Sequence, residues 1–102
     1  MEKLSLAETR ITDAGLDELR SLSNLRVLNL ANTALTDDGL CYLQGLTGLK
    51  RLVLSGARIT DAALAPLGAL TELDRLELID TGISPSGLAG LHDALPDCMI
   101  VQ

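Results

Sequence analysis

Leucine recurs in fixed columns 24 residues apart along this chain of 102, with no insertions between copies. Leu4, Leu28, Leu52 and Leu76 are in register, and Ile100 extends the series. Leu6, Leu30, Leu54 and Leu78 form a second column, and Ile11, Leu35, Ile59 and Ile83 a third. Leu16/Leu40/Leu64/Leu88 and Leu19/Leu43/Leu67/Leu91 follow. The columns Leu22/Leu46/Leu70 and Leu25/Leu49/Leu73 hold for three copies and then read Ala94 and Asp97, where Leu95 is placed to take over the packing. A short fixed period means stacked units, because one copy cannot bury its own apolar stripe.

The spacing within a copy assigns its elements. Leu4-Ser5-Leu6 and its counterparts alternate apolar and polar, the pattern of a strand with one buried face. From Ile11 the steps become five, three, three and three, which predicts a helix of roughly two to three turns. Thr12, Thr36, Thr60 and Ser84 stand where a helix cap belongs. Asp13, Asp37 and Asp61 come next, where a carboxylate favours the helix dipole, and Pro85 takes that place in the fourth copy. Strands stack about 4.8 Å apart and helices about 8–10 Å apart, so the pile curves with the sheet inside. The expected fold is an α/β right-handed solenoid with a concave parallel β-sheet and convex α-helices. It forms one domain, 1–102, with repeats 4–27, 28–51, 52–75 and 76–99 and a short final strand 99–102.

LSLAETRITDAGLDELRSLSNLRV (4–27) and LNLANTALTDDGLCYLQGLTGLKR (28–51) resemble leucine-rich repeats. They are most similar to the bacterial kind carrying T-x-[IL]-T-D-x-G-L, related to the cysteine-containing, RNI-like class. The resemblance covers nearly the whole chain. It implies a binding scaffold that uses its concave sheet face, usually for a protein partner. The family's usual Asn or Cys after the strand is Thr9, Thr33, Ala57 and Thr81 here, which reads as a row of hydroxyls satisfying turn backbone, interrupted at Ala57. Neither end shows an evident cap.

Residues flanking the buried leucines point to the opposite face. One row is Lys3, Val27, Arg51, Arg75, Met99; the next is Ser5, Asn29, Val53, Glu77, Val101. Ala7, Ala31, Ser55, Ile79 follow, then an edge row Glu8, Asn32, Gly56, Asp80. The candidate partner-binding residues are Val27, Asn29, Arg51, Val53, Arg75, Glu77 and Ile79. Arg51 and Arg75 would hold a partner's carboxylate, with Val53 and Ile79 in apolar contact. Alternatively, Arg51, Arg75 and Glu77 form cross-strand ion pairs on a solvated sheet. Five strands and four residues along each span roughly 300 Å², against about 800 Å² per partner for a standard interface. The face alone is small for tight protein binding. A longer array, weak peptide binding or self-association would resolve this. Leu4, Leu6, Ile11, Leu16 and Leu19 have no preceding layer in the chain, so a structural array segment, or a unit that self-associates through its N-terminal end, is the alternative reading.

A net charge of −6 argues against nucleic-acid binding. No apolar run reaches the about 18 residues of a membrane span, and MEKLSLAETR lacks the apolar core of a secretion signal. Cys41 and Cys98 lie more than two repeats apart, too far for a disulfide; two free thiols suggest a reducing, cytoplasmic setting. His92 reads as a surface histidine and Tyr42, the one aromatic residue, as lying across the outer helix surface. Pro66 should bend or shorten its helix. Asp13, Asp37 and Asp61 stand too far apart to share a calcium ion. No catalytic, cofactor or metal constellation is expected, and the chain reads as a non-catalytic protein- or peptide-binding scaffold.

Overall fold

The alternating Leu-x-Leu starts do build strands. The computed structural model describes residues 3–17, 19–22 and 24–102, with the side chains of Arg20 and Gln44 left aside. Five strands of three residues form: β1 (Lys3–Ser5), β2 (Val27–Asn29), β3 (Arg51–Val53), β4 (Arg75–Glu77) and β5 (Met99–Val101). They make one parallel sheet in chain order. Leu4 pairs with Leu28, Leu28 with Leu52, Leu52 with Leu76 and Leu76 with Ile100, each 24 residues on. Pairing continues past the strands. The amides of Leu6, Leu30, Leu54 and Leu78 donate to the carbonyls of Asn29, Val53, Glu77 and Val101 at 2.7–2.9 Å. Each copy is thus tied to the next by backbone bonds, while Leu28, Leu30, Leu52, Leu54 and Leu76 fill the core behind the sheet.

Each of the first four strands leads into a tight turn. Glu8, Asn32 and Asp80 have φ of 56–59° and Gly56 has 79°. These residues, expected as the edge row of the sheet face, therefore form the corner instead. Asn, Asp and Gly enter the left-handed region most easily, and Glu8 is the costly member. The hydroxyls of Thr9, Thr33 and Thr81 donate to the carbonyls of Leu6, Leu30 and Leu78 at 2.6–2.9 Å. The hydroxyl row is as expected. At the break, the Ala57 amide alone bonds back to Leu54, at 3.0 Å.

The helical side corrects the expectation of four similar α-helices. The first copy has a single α turn, α1 (Asp13–Leu16), followed by a 3₁₀ turn, Leu19–Ser21. The second is a 3₁₀ helix throughout, Asp37–Gly45. The third passes from a 3₁₀ turn, Asp61–Ala63, into α2 (Leu64–Gly68). Only the fourth has a regular α-helix, α3 (Pro85–Ala94).

Leucine spacing accounts for the contrast between the second and fourth copies. A 3₁₀ helix has three residues per turn, so positions i and i+3 eclipse. Leu40, Leu43 and Leu46 are three apart and all three are buried, at 0–1% exposure. The amides of Leu46 and Leu49 accordingly bond three residues back, to Leu43 and Leu46, at 2.9 and 3.1 Å. In the fourth copy the buried pair is Leu91 and Leu95, four apart. There the Leu95 amide bonds four residues back, to Leu91, at 2.8 Å. Leu95 does take over the packing, and Cys98 takes the place of Leu73, so one residue is lost from the loop before β5 resumes the register. Pro66 lies within the five-residue α2, consistent with the expected shortening, and its ring is buried.

The N-terminal layer is also less open than the sequence suggests. Leu16 and Leu19 are buried within the chain, at 0% and 8% exposure. The α1 turn and Leu19–Ser21 both pack on Asp37–Gly45, which covers these leucines from one side. Leu4, Leu6 and Ile11 remain half-buried against the core.

Candidate functional site

The outer face of the sheet holds every sequence-derived candidate. In each strand the central residue, leucine in β1–β4 and Ile100 in β5, packs toward the core, so its two neighbours lie on the opposite face. Arg51 is exposed, while Val27, Asn29, Val53, Arg75 and Glu77 are half-buried by their neighbours across the sheet. Strand register places Val27, Arg51 and Arg75 side by side in one row and Asn29, Val53 and Glu77 in the next. Ile79 lies just beyond β4 and is 41% exposed; Met99 on β5 is 60% exposed.

The expected cross-strand ion pairs are not what forms. Glu77 pairs with Arg75 along the same strand, Oε2 to Nε at 3.4 Å. The other end of the Arg75 guanidinium reaches Met99 Sδ at 3.8 Å, a weak contact. The Arg51 side chain makes no hydrogen bond or ion pair among the described residues. Arg51 and Arg75 nonetheless stand directly opposite each other in register. Like charges so placed repel.

The basic ends of the strands line a depression of about 480 Å³ formed by Lys3, Val27, Lys50, Arg51, Asp74 and Arg75. Lys50 and Asp74 were not among the candidates. The signal was present in the column Arg26, Lys50, Asp74, one residue before β2, β3 and β4. Lys50 also reaches Glu72 at 3.6 Å, with both side chains substantially exposed. A second depression of about 440 Å³ lies at the turn end, between Arg10, Asn32 and Arg58.

The aspartates of the motif have a role that the sequence reading missed. Asp13 does not stop at its own helix start. Its Oδ1 accepts the Thr36 amide at 2.8 Å and its Oδ2 accepts the Thr36 hydroxyl. Asp37 does the same to Thr60, at 2.7 and 2.6 Å, and Asp61 to Ser84, at 2.8 and 2.6 Å. Each carboxylate thus clasps the helix start of the next copy. Gly39 and Gly87 make room for it, since a Cβ at either would collide with the Asp13 or Asp61 carboxylate. Only Thr60 and Ser84 also cap their own helices, accepting the amides of Ala62 and Gly87. The clasp stops at Pro85, which has no carboxylate. Bonds from the Ser84 hydroxyl, and then from its amide, hold the Asp61 carboxyl below its ordinary pKa.

The remaining side chains offer little chemistry. His92 is exposed on α3 and Cys98 is buried beyond the end of that helix. Burial, and then the Asp74 charge, push the Cys98 thiol up, so it stays protonated at neutral pH. Cys41 is exposed. Tyr42, expected across the outer surface, is instead partly buried against the core. Among the described residues there is no cluster of three or more metal-binding groups. No helix among them is long and apolar enough to cross a membrane.

A family model described as a leucine-rich repeat matches residues 21–43. An internalin C2 from Listeria monocytogenes superimposes with a TM-score of 0.77 at 35% identity, over 98% of this chain and 40% of that one. A leucine-rich repeat protein from Leptospira interrogans gives 0.76 at 30% identity, over 98% of this chain and 25% of that one. The C-terminal domain of tropomodulin from Caenorhabditis elegans gives 0.69 at 25% identity, over 95% of this chain and 66% of that one. The chain therefore spans less than half the length of the two bacterial structures. No curated protein matches it. The parallel sheet backed by helices is the leucine-rich repeat fold, in which scaffolds generally mediate protein–protein interaction.

Proposed function

We propose that this chain, which has the fold of leucine-rich repeat proteins, is a non-catalytic module that binds a protein or peptide on its concave sheet face. The observation that carries this reading is the in-register outer face. There Arg51 has no side-chain partner among the described residues, and Ile79, just beyond β4, is 41% exposed, beside strands joined by continuous backbone pairing. Val27, Asn29, Arg51, Val53, Arg75, Glu77 and Ile79 are the contact residues. Arg and exposed apolar side chains on a fixed scaffold suit an interface better than a reaction centre. The register of 24 along all four strand pairs supports one continuous array of four repeats, 4–27 to 76–99, within a single domain.

The test is affinity capture from the source proteome with the wild-type chain and with Arg51, Val53, Glu77 and Ile79 changed together to Ala. Loss of the captured partner with an unchanged far-UV spectrum supports the face as the site. Undiminished capture rejects it. A second reading, association through the N-terminal layer, draws on the half-buried Leu4, Leu6 and Ile11. Light scattering at high micromolar concentration separates the two, since a monomer there excludes self-assembly as the main role.

A further inference from the structure

The basic depression gives that proposed face a partner chemistry. Half of the chain's eight cationic side chains, Lys3, Lys50, Arg51 and Arg75, converge on one hollow of about 480 Å³ with a single acid, Asp74, among the lining residues. This happens in a chain whose net charge is −6, so the concentration of positive charge is local. Two of these cations repel each other across the β3–β4 pair, Arg51 opposite Arg75. The chain relieves that repulsion only on one side. Glu77 takes Arg75 Nε at 3.4 Å, and nothing among the described residues takes the Arg51 guanidinium.

A guanidinium presents a planar fork of donors that matches a carboxylate in a two-bond geometry. Next to the cations, in the same rows and the ones beyond, stand Val27, Val53, Ile79 and Val101, half-buried or exposed. A bare anion would use the charge and leave this apolar strip uncovered. An extended peptide with acidic side chains beside apolar ones would use both. The negative charge of the rest of the molecule disfavours a long polyanion, whose backbone would run past the hollow onto acidic surface.

Resting on the interaction reading above, we infer that the strand-start hollow is the subsite for a peptide segment whose carboxylates pair with Arg51 and Arg75 while its aliphatic side chains lie along Val53 and Ile79. The probe is a short fluorescent peptide of alternating Glu and Val, followed by anisotropy. The Glu–Val peptide binds, its Gln–Val counterpart does not, and affinity falls as NaCl rises. Arg51→Gln weakens binding roughly tenfold, as expected for the loss of a charge-assisted pair. Arg51→Gln with Arg75→Gln abolishes it, whereas Arg10→Gln with Arg58→Gln, in the second depression, leaves it unchanged. Circular dichroism confirms that each variant keeps its fold.

Equal binding of the Gln–Val peptide, indifference to Arg51→Gln, or displacement of the peptide by inorganic phosphate or oligothymidylate at its own concentration would overturn the inference. No binding of the Glu–Val peptide would also overturn it. That result would leave the broader interaction reading standing if a proteome partner is still lost on changing the sheet face.

Discussion

The two sides of this molecule obey different rules. On the sheet side every copy repeats the last: a three-residue strand, a left-handed corner, and a backbone bond to the residue 23 ahead from each of Leu6, Leu30, Leu54 and Leu78. On the helical side no two copies are the same, running from a single α turn through 3₁₀ helix to the regular α3. The difference shows what stacking demands. Strands about 4.8 Å apart share hydrogen bonds and cannot drift. Helices about 8–10 Å apart share only side-chain contacts, so each adopts whichever winding buries its own leucines. Between the sides lies the carboxylate clasp, which holds the entry to each helix in step although the helices differ.

This contrast can be broken experimentally, and the largest effects belong to shared core positions. Leu43→Ala on the helical side and Leu54→Ala on the sheet side, both essentially unexposed, should each cost about 2–5 kcal/mol in urea unfolding. Leu4→Ala, in the half-buried terminal layer, should cost clearly less. Equal costs would mean that the first layer is covered in solution, by a second copy or another partner.

The clasp comes next. Asp13→Ala leaves the Thr36 amide and hydroxyl without their partly buried acceptor, and should cost about 1–3 kcal/mol. Asp61→Ala acts on exposed bonds and should cost less. If the aspartates only answered the dipoles of their own helices, Asp13 and Asp61 would lose similar, small amounts.

The smallest effect is on pH dependence. Asp61 has its folded pKa below the ordinary 3.8, through its bonds from Ser84. Its contribution to stability is therefore complete above the unfolded pKa and is lost as pH falls through the folded one. Asp61→Asn should flatten the acid side of the stability profile below about pH 4, measured by urea midpoints. An acid limb identical to wild type would assign the loss elsewhere.

Much of the fold was legible because the main leucine columns keep a regular 24-residue spacing. Strand register, the threonine hydroxyl row and the helix starts at Thr12, Thr36, Thr60 and Ser84 all followed from columns. Part of the winding was in the sequence too, as leucines three apart in the wholly 3₁₀ second copy and Leu91 and Leu95 four apart in the fourth; the first and third copies share the three-residue spacing yet include α turns. A helix read only as apolar on one face hides that distinction. The clasp was less legible. An aspartate after a cap position has a sufficient local explanation in the helix dipole, and its bonds to a residue 23 ahead exist only once the copies stack. Glycine at 39 and 87, making room for that carboxylate, was the overlooked hint.

The outer face was legible as rows but not as pairs. Register placed Arg51 beside Arg75, yet side-chain direction, which columns do not encode, sent Glu77 to Arg75 on its own strand. Lys50 and Asp74 stood one residue outside the strands and so outside the rows, although they help shape the hollow.

The central claim is that copies 24 residues apart lie against each other as rungs of one ladder. Hydrogen-bond scalar couplings in solution test it most directly. The account predicts couplings from the Leu30 amide to the Val53 carbonyl and from the Leu54 amide to the Glu77 carbonyl. Couplings from those amides to carbonyls in any other register, or protection from neither bond, would contradict it.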